Sequence, residues 1–179
     1  RLQSEAAASV LSDIVTRWRA GGGRGTACVQ PFARLYASGT LSDAQLWGRV
    51  SDAFENGEVA TAKEVASHFS GARYRQLFGL WQRALASPAT LLRAADLEDS
   101  SEARRVALHV GTRLARADVD GARGAWQEVS ARMDFSEAER GQAARAIALA
   151  AAGSNHAARI ALLDAVPPAA VDVDVQRYQ

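Results

Sequence analysis

Apolar residues recur every three or four positions along almost the whole chain, which is the spacing of one face of an α-helix. Val59, Ala62, Val65 and Phe69 follow this spacing, and it continues on both sides of them. The pattern predicts helices over Ser4–Ala20, Ala27–Ser38, Ser42–Asn56, Val59–Phe69, Ala72–Ala86, Ala89–Ala95, Ser101–Arg116, Val119–Arg132, Ser136–Ala152, His156–Ala165 and from Ala169 to the end. We therefore expect an all-α protein.

Capping signals support these boundaries. Ser42 with Gln45 and Ser136 with Glu139 have the spacing of a capping box, and Ser100 or Ser101 can cap a third helix. Glycines stand where helices are expected to end: Gly21, Gly22, Gly23, Gly39, Gly57 and Gly153.

A short pattern then repeats along the chain. ENGEVATAKEVA (55–66) aligns with ARADVDGARGAW (115–126) and AAGSNHAARIAL (151–162). This alignment equates Gly57 with Ala117 and Gly153, at intervals of 60 and 36 residues, which is close to two units and one unit of a helical-hairpin repeat. It also equates the small residues Ala62, Ala122 and Ala158, which would let paired helices cross closely. The pattern predicts a degenerate helical-hairpin solenoid, a tetratricopeptide-like superhelix, with residues 1–179 in a single domain.

The composition argues against a nucleic-acid-binding protein and against a membrane-spanning protein. Apolar residues make up 48% and charged residues 23% of the chain, as in ordinary globular proteins. The formal net charge is only +1, which disfavours a nucleic-acid partner. No apolar run reaches the length of about 20 residues that a membrane-spanning helix needs, so we expect no membrane span.

The usual candidates for chemistry are better explained by packing. His68, His109 and His156 are too widely spaced to share one helix face as metal ligands, so we expect no metal site. Cys28 is the single cysteine and stands among apolar residues at helical spacing, which indicates a small buried side chain. We expect no cofactor and no catalytic residue in this chain.

Two further stretches also lack the context of a site. GGGRG (21–25) follows a predicted helix, whereas a phosphate-binding loop follows a strand, so a flexible loop is the better interpretation. Acidic residues such as Glu98 and Asp99 lie near predicted helix starts, where a negative charge favours the helix dipole.

The four tryptophans, Trp18, Trp47, Trp81 and Trp126, all fall within predicted helices. Packing between helix layers is the default role for each of them. A tryptophan that proved exposed could instead serve as an aromatic platform for a sugar.

Four stretches of the chain, 27–69, 84–126, 143–153 and 162–179, resemble the superhelical domain of the soluble lytic murein transglycosylases. The first contains a cysteine that opens a helix ending in a small residue and a glycine, followed by a helix that carries Arg, Ala and Gly before the next one. The matching residues there are Cys28, Phe32, Leu35, Ser38, Gly39, Arg49, Ala53 and Gly57. Near the end of the chain, Arg177-Tyr178 matches the Arg-Tyr-Trp-like start of a helix in that family.

The resemblance implies a periplasmic protein whose parent enzyme cleaves the bond between N-acetylmuramic acid and N-acetylglucosamine in peptidoglycan, leaving 1,6-anhydro ends. In that family the superhelical domain is part of a ring, and a separate C-terminal lysozyme-like domain carries the catalytic glutamate in a Glu-Ser pair. No Glu-Ser pair occurs in residues 1–179. We therefore expect a non-catalytic fragment, with glycan strands and its own catalytic domain as partners.

A second class of function stays open from the residues alone. A free-standing helical-repeat scaffold that binds a protein partner through its concave face would have the same pattern of helices and small residues.

Overall fold

The computed structural model describes residues 10, 12–18, 26–93 and 97–179. Residues 12–18 are helical and are called α1. The helices that follow are α2 (Thr26–Ala37), α3 (Asp43–Glu55), α4 (Val59–Ala66), α5 (Ala72–Ala86), α6 (Pro88–Arg93), α7 (Ser101–Ala117), α8 (Val119–Ser130), α9 (Glu137–Gly153), α10 (Arg159–Asp164) and α11 (Val173–Gln176). Across these ranges there is no strand, and the prediction of an all-α fold is confirmed.

Three of the expected helix starts, at Ser42, Ser100 and Ser136, are also confirmed. Ser42 and Ser136 each accept a hydrogen bond from the backbone N–H three residues on, and Gln45 and Glu139 reach back to complete a capping box. Ser100 caps α7 by accepting from the N–H of Ala103. Within the described ranges, no helix is long and apolar enough to cross a bilayer.

The chain divides into two compact units, Arg1–Gln76 and Leu77–Gln179. In the first unit, α3 packs against α4 as a hairpin. Both helices contribute buried apolar side chains to the core of this unit. They include Leu46, Trp47, Val50, Ala53, Phe54, Ala62 and Val65.

In the second unit, α7 packs against α6, α8 and α9, and α9 packs against α10. The residues after α10 return to α9, since a 3₁₀ turn at Pro168–Ala170 and α11 both contact that helix. This return closes a small apolar core of Ala148, Leu163, Val166 and Val175.

The hairpins α3–α4 and α9–α10 turn on a left-handed residue. Gly57 has φ +75° and Asn155 has φ +54°. We expected Gly153 to be the equivalent of Gly57, and this was wrong, because Gly153 is still the last residue of α9. Asparagine tolerates the left-handed conformation better than most other side chains, so the turn does not need the glycine there.

The two turns also share their hydrogen bonds. The N–H of Glu58 donates to the carbonyl of Ala53 at 2.7 Å, and the N–H of His156 donates to the carbonyl of Ala151 at 2.9 Å. Both bonds span five residues, as in a Schellman motif, and they lie 98 positions apart (156 − 58, and 151 − 53). This register relates every residue of α3 to one residue of α9.

The turn between α7 and α8 is shorter. Asp118 alone separates the two helices, acting as the C-cap of α7 and the N-cap of α8. Its side chain accepts from the N–H of Gly121 at 2.9 Å, and a β-carbon at Gly121 would collide with the Asp118 carboxylate. Ala62 and Ala122 were both expected to be small residues at helix contacts. Ala62 is fully buried, and Ala122 is 1% exposed.

The third expected contact residue and the last predicted helix differ from the prediction. Ala158 is only half-buried and precedes α10. The helix expected from Ala169 to the end is instead the 3₁₀ turn followed by the four residues of α11. Asp172 separates these two pieces because its side chain accepts from the N–H groups of Asp174 and Val175, which starts a new helix.

Candidate functional site

A depression of about 460 Å³ lies between α8, α9 and α10 in the second unit. Its volume falls within the range of about 300–1,000 Å³ that is typical of small-molecule sites. The polar part of its lining consists of Asp120, Arg123 and Gln127. The apolar part consists of Trp126, Ala144, Ile147, Leu162 and Ala165.

Trp126 is the tryptophan that the depression leaves partly accessible. Helix α8 buries Ala122, Ala125 and Val129 on one face, and Trp126 lies at the edge of that face and is half-buried. Its ring contacts the ring of Phe135, with centroids 4.6 Å apart and planes inclined by 52°. The contact fixes the indole while part of it lines the depression.

The other three tryptophans are core residues. Trp18 is 2% exposed, Trp47 is 4% exposed and Trp81 is fully buried. The expected packing role is therefore confirmed for these three, whereas Trp126 is half-buried.

The carboxylate at the rim of the depression is held by two partners. Asp120 forms an ion pair with Arg123 at 3.1 Å, and its other oxygen lies 3.2 Å from Nε2 of His156. Nδ1 of His156 accepts a hydrogen bond from the N–H of Ala158 at 3.2 Å, which leaves Nε2 as the ring nitrogen that donates to Asp120. The hydrogen bond with His156, followed by that with Arg123, lowers the pKa of the Asp120 carboxyl.

On α9 the depression is lined by Ala144 and Ile147, and the small side chain of Ala144 leaves room there. In the register of the shared turn, Ala144 corresponds to Leu46 of α3 (144 − 46 = 98). Leu46 is 2% exposed, whereas Ala144 is half-buried and lines the depression. A leucine at position 144 would occupy part of the space that alanine leaves there.

A second depression, of about 390 Å³, lies between α7 and α9. Arg116 and Arg145 line it, but the guanidinium of Arg145 is engaged by Asp172 at 2.8 Å and by Asp174 at 3.2 Å. The hydrogen bond with Arg145 is the main reason that the pKa of Asp172 is lowered. Since no aromatic residue lines it, this depression offers a ligand less than the first does.

The three histidines lie in different places. His68 is exposed and stacks on Tyr36, with ring centroids 3.9 Å apart. His109 meets the edge of Trp81, and His156 lies at the start of the α9–α10 turn. In the ranges that the structure describes, no three His, Cys, Asp or Glu residues come together as a metal-binding set.

The other candidates are placed as follows. Cys28 lies on α2, but its side chain is outside the described part of the structure, as is the whole of the loop 21–25. Glu98 is exposed, and Asp99 accepts from the N–H of Asp134 at 2.8 Å and from Arg104 at 2.6 Å. The backbone hydrogen bond from Asp134 is the main reason that the pKa of Asp99 is lowered. Asp99 therefore joins the start of α7 to the loop before α9.

Sequence reasoning did not single out Asp120, Arg123 or Gln127. Asp120 and Arg123 have the i, i+3 spacing of a helical ion pair, which is common on solvated faces and does not point to a site. The available signal was the contrast between α3 and α9, in which alanines stand at the positions equivalent to Leu46, Val50 and Phe54.

Comparison with solved structures finds the same fold in a much longer protein. The chain is similar to an inactive mutant of the lytic transglycosylase Slt from Pseudomonas aeruginosa, with a TM-score of 0.77 and 22% sequence identity. The match covers 99% of this chain and 29% of that protein. No protein-family model matches the sequence, and no curated protein matches it. The expected resemblance is thus confirmed at the level of the fold, and the chain has the all-α superhelical fold of part of a soluble lytic transglycosylase.

Proposed function

We propose that residues 1–179 are a non-catalytic superhelical module of a soluble lytic transglycosylase, and that this module helps to position peptidoglycan strands for a catalytic domain. The observation that carries the proposal is the structural match to Slt over 99% of this chain. Since the match spans 29% of that protein, the parent activity belongs to the proposal: cleavage between N-acetylmuramic acid and N-acetylglucosamine with formation of 1,6-anhydro ends.

The chain's own residues support a binding role better than a catalytic one. Glycoside cleavage requires a carboxyl group whose pKa is raised so that it can donate a proton near neutral pH. At the rim of the depression, the pKa of Asp120 is lowered instead, because His156 and Arg123 stabilise its charged form. A periplasmic location and a place within a ring of helices follow from the same proposal.

Two assays on the purified chain test the proposal. In a pull-down with purified peptidoglycan sacculi, the chain should sediment with the sacculi in a saturable manner. In a digestion assay, the chain alone should release no 1,6-anhydromuropeptides. Failure to sediment would contradict the positioning role, and clear release of anhydromuropeptides by pure protein would contradict the non-catalytic role.

A free-standing scaffold for a protein partner is the second candidate, and one observation favours it. Ile160, Val173 and Tyr178 are 56%, 68% and 47% exposed, and all three lie in the last 20 residues. Exposed apolar side chains in one region are typical of protein-binding surfaces. A saturable protein or peptide ligand together with no sedimentation on sacculi would favour this candidate.

A further inference from the structure

We propose that the depression between α8, α9 and α10 is a subsite for an uncharged, N-acetylated sugar unit, with Trp126 as its aromatic platform. The identification of the sugar as N-acetylated rests on the proposed function, since peptidoglycan strands are built from such sugars. The saccharide class rests on the lining of the depression itself.

The charges of the lining exclude a strongly charged ligand. Asp120 is negative and Arg123 is positive, and the two form an ion pair at 3.1 Å. His156 is a second partner of the Asp120 carboxylate, with its Nε2 3.2 Å from the other carboxylate oxygen. An anion would have to compete with Asp120 for Arg123, and a cation would have to compete with Arg123 for Asp120. A neutral ligand loses neither interaction.

The polar groups match hydroxyl groups. The guanidinium of Arg123 is a donor, the carboxylate of Asp120 is an acceptor, and the amide of Gln127 is both. Sugar hydroxyls donate and accept at once, so a rim of mixed donors and acceptors suits them. All three side chains are exposed and line the same depression, which places their polar groups at its opening.

The apolar groups match the rest of an N-acetylated sugar. The indole of Trp126 offers a flat apolar surface for the C–H face of a sugar ring and is held in place by Phe135. Ala144, Ile147 and Leu162 form an aliphatic wall that can take the methyl group of an acetamido substituent.

The α3–α4 hairpin provides the design of the test. Leu46 fills the position of α3 that corresponds to Ala144, so Ala144→Leu should restore the bulk that α9 lacks. Ala144 is half-buried on a helix that already contains a leucine, Leu149, so the replacement should fill part of the depression while the helix is retained. Trp126→Ala removes the platform, and Trp126→Phe retains an aromatic ring at the same place.

The experiment is isothermal titration of the full chain with the tetramer of β-1,4-linked N-acetylglucosamine. Cellotetraose, which lacks acetamido groups, and the fully deacetylated tetramer, which is positively charged, serve as comparison ligands. Tyr178→Ala is the control variant, because Tyr178 is an exposed aromatic residue of the same unit that does not line the depression. Circular dichroism and thermal unfolding of every variant monitor the fold.

We expect the N-acetylated tetramer to bind and both comparison ligands to bind several-fold more weakly. Ala144→Leu and Trp126→Ala should each weaken binding by about tenfold or more, which corresponds to about 1.4 kcal/mol. Trp126→Phe should retain most of the affinity, and Tyr178→Ala should retain all of it.

Full affinity in folded Ala144→Leu would overturn the assignment, as would equal affinity for cellotetraose or the absence of any binding to the N-acetylated tetramer. The sacculus pull-down separates this failure from that of the proposed function. If the chain sediments with sacculi but does not bind the tetramer, the subsite is wrong and the positioning role remains. If it does neither, both are wrong.

Discussion

The hairpins α3–α4 and α9–α10 have the same turn but different interiors. Each turns on a left-handed residue, and each closes with an N–H that donates to a carbonyl five residues earlier. Leu46, Val50 and Phe54 of α3 are buried, whereas the equivalent positions of α9 are alanines, and one of them, Ala144, lines a depression beside α8. The same turn therefore sets the register of two helix pairs whose side chains differ in size.

The residue after the left-handed position shows the same separation of roles. Glu58 occupies this position in the first turn and His156 in the second. Glu58 makes no side-chain capping bond to α4, whereas the ring of His156 accepts from Ala158 and donates to Asp120. Glu58 and His156 therefore occupy equivalent backbone positions. Of the two, His156 is the one whose side chain contacts a residue that lines the depression, Asp120.

The largest expected effect is that of filling the helix contact of the first hairpin. Ala62→Leu should destabilise the protein by about 1–3 kcal/mol, because Ala62 is fully buried and the added carbons overpack α3 against α4. Ala158→Leu should change stability by less than about 0.5 kcal/mol, because Ala158 is half-buried. Urea denaturation of both variants makes the comparison. Similar losses would contradict the difference in burial between Ala62 and Ala158.

An effect of intermediate size is expected at the left-handed residues. Gly57→Ala should cost about 1–2 kcal/mol, since φ +75° is strained for a residue with a β-carbon, although the space around Gly57 is open. Gly57→Asn, which copies the second turn, should cost less. Asn155→Gly should stay within about 0.5 kcal/mol, because relief of strain is offset by greater freedom of the unfolded chain.

Thermal unfolding of these three variants checks the order of their effects. If Gly57→Ala were neutral, the left-handed conformation would not be a requirement of the first turn. If Asn155→Gly were strongly destabilising, the side chain of Asn155 would have a role beyond its backbone conformation.

The smallest expected effect concerns the contacts between each hairpin and the segment that follows it. Asp43 accepts from the N–H groups of Ser70 and Gly71 at 2.9 Å and 2.6 Å. Its equivalent in α9 is Gly141 (141 − 43 = 98), where a β-carbon would approach that of Ala170 to 3.0 Å. The first hairpin is thus joined to the following segment by hydrogen bonds to a carboxylate, and the second by close apolar packing.

The pH dependence of stability distinguishes the hydrogen bonds of Asp43 from the apolar packing at Gly141. The backbone hydrogen bond from Ser70 is the main reason that the pKa of Asp43 is lowered in the folded protein. Its contribution is therefore complete above the pKa of the unfolded aspartate, about 3.9, and is lost as the pH falls through the lower folded value. Asp43→Asn should cost about 1 kcal/mol or less at pH 7, because the group is partly solvated. The loss should shrink at low pH.

Gly141→Ala is the matched variant for this test. Its destabilisation should be the same at pH 7 and at pH 3, because steric contact between two methyl groups does not titrate. Urea denaturation at both pH values measures the difference. A loss in Asp43→Asn that does not change with pH would contradict the role assigned to its carboxylate.

Much of the fold follows from local signals, and the failures have physical causes. Periodicity and capping residues are local, so the starts of α3 and α9 at Ser42 and Ser136 were predictable. The left-handed turn after α9 was assigned to Gly153 because a glycine is the usual signal, whereas the structure uses Asn155. The predicted length of the final helix was too great, because the side chain of Asp172 caps a new short helix and so interrupts the longer one.

The candidate site was less predictable, since it depends on contacts distant in sequence. The sequence identified four tryptophans as candidates but could not tell which would be accessible, because burial depends on the packing of other helices. The contact of Asp120 with His156 joins residues 36 positions apart and has no local signature. The absence of bulk at Ala144 becomes visible only when α9 is compared in register with α3.

The single-residue connection at Asp118 has a consequence for how such a chain can be lengthened. An α-helix rotates by about 100° per residue, so one residue inserted beside Asp118 would turn the buried face of α8 away from α7. The connection between α9 and α10 is several residues long and could absorb an insertion by rearranging its own backbone. Insertions and grafted loops should therefore be accepted beside the depression and rejected at Asp118, which makes the rim of the candidate site the part of this unit most open to variation.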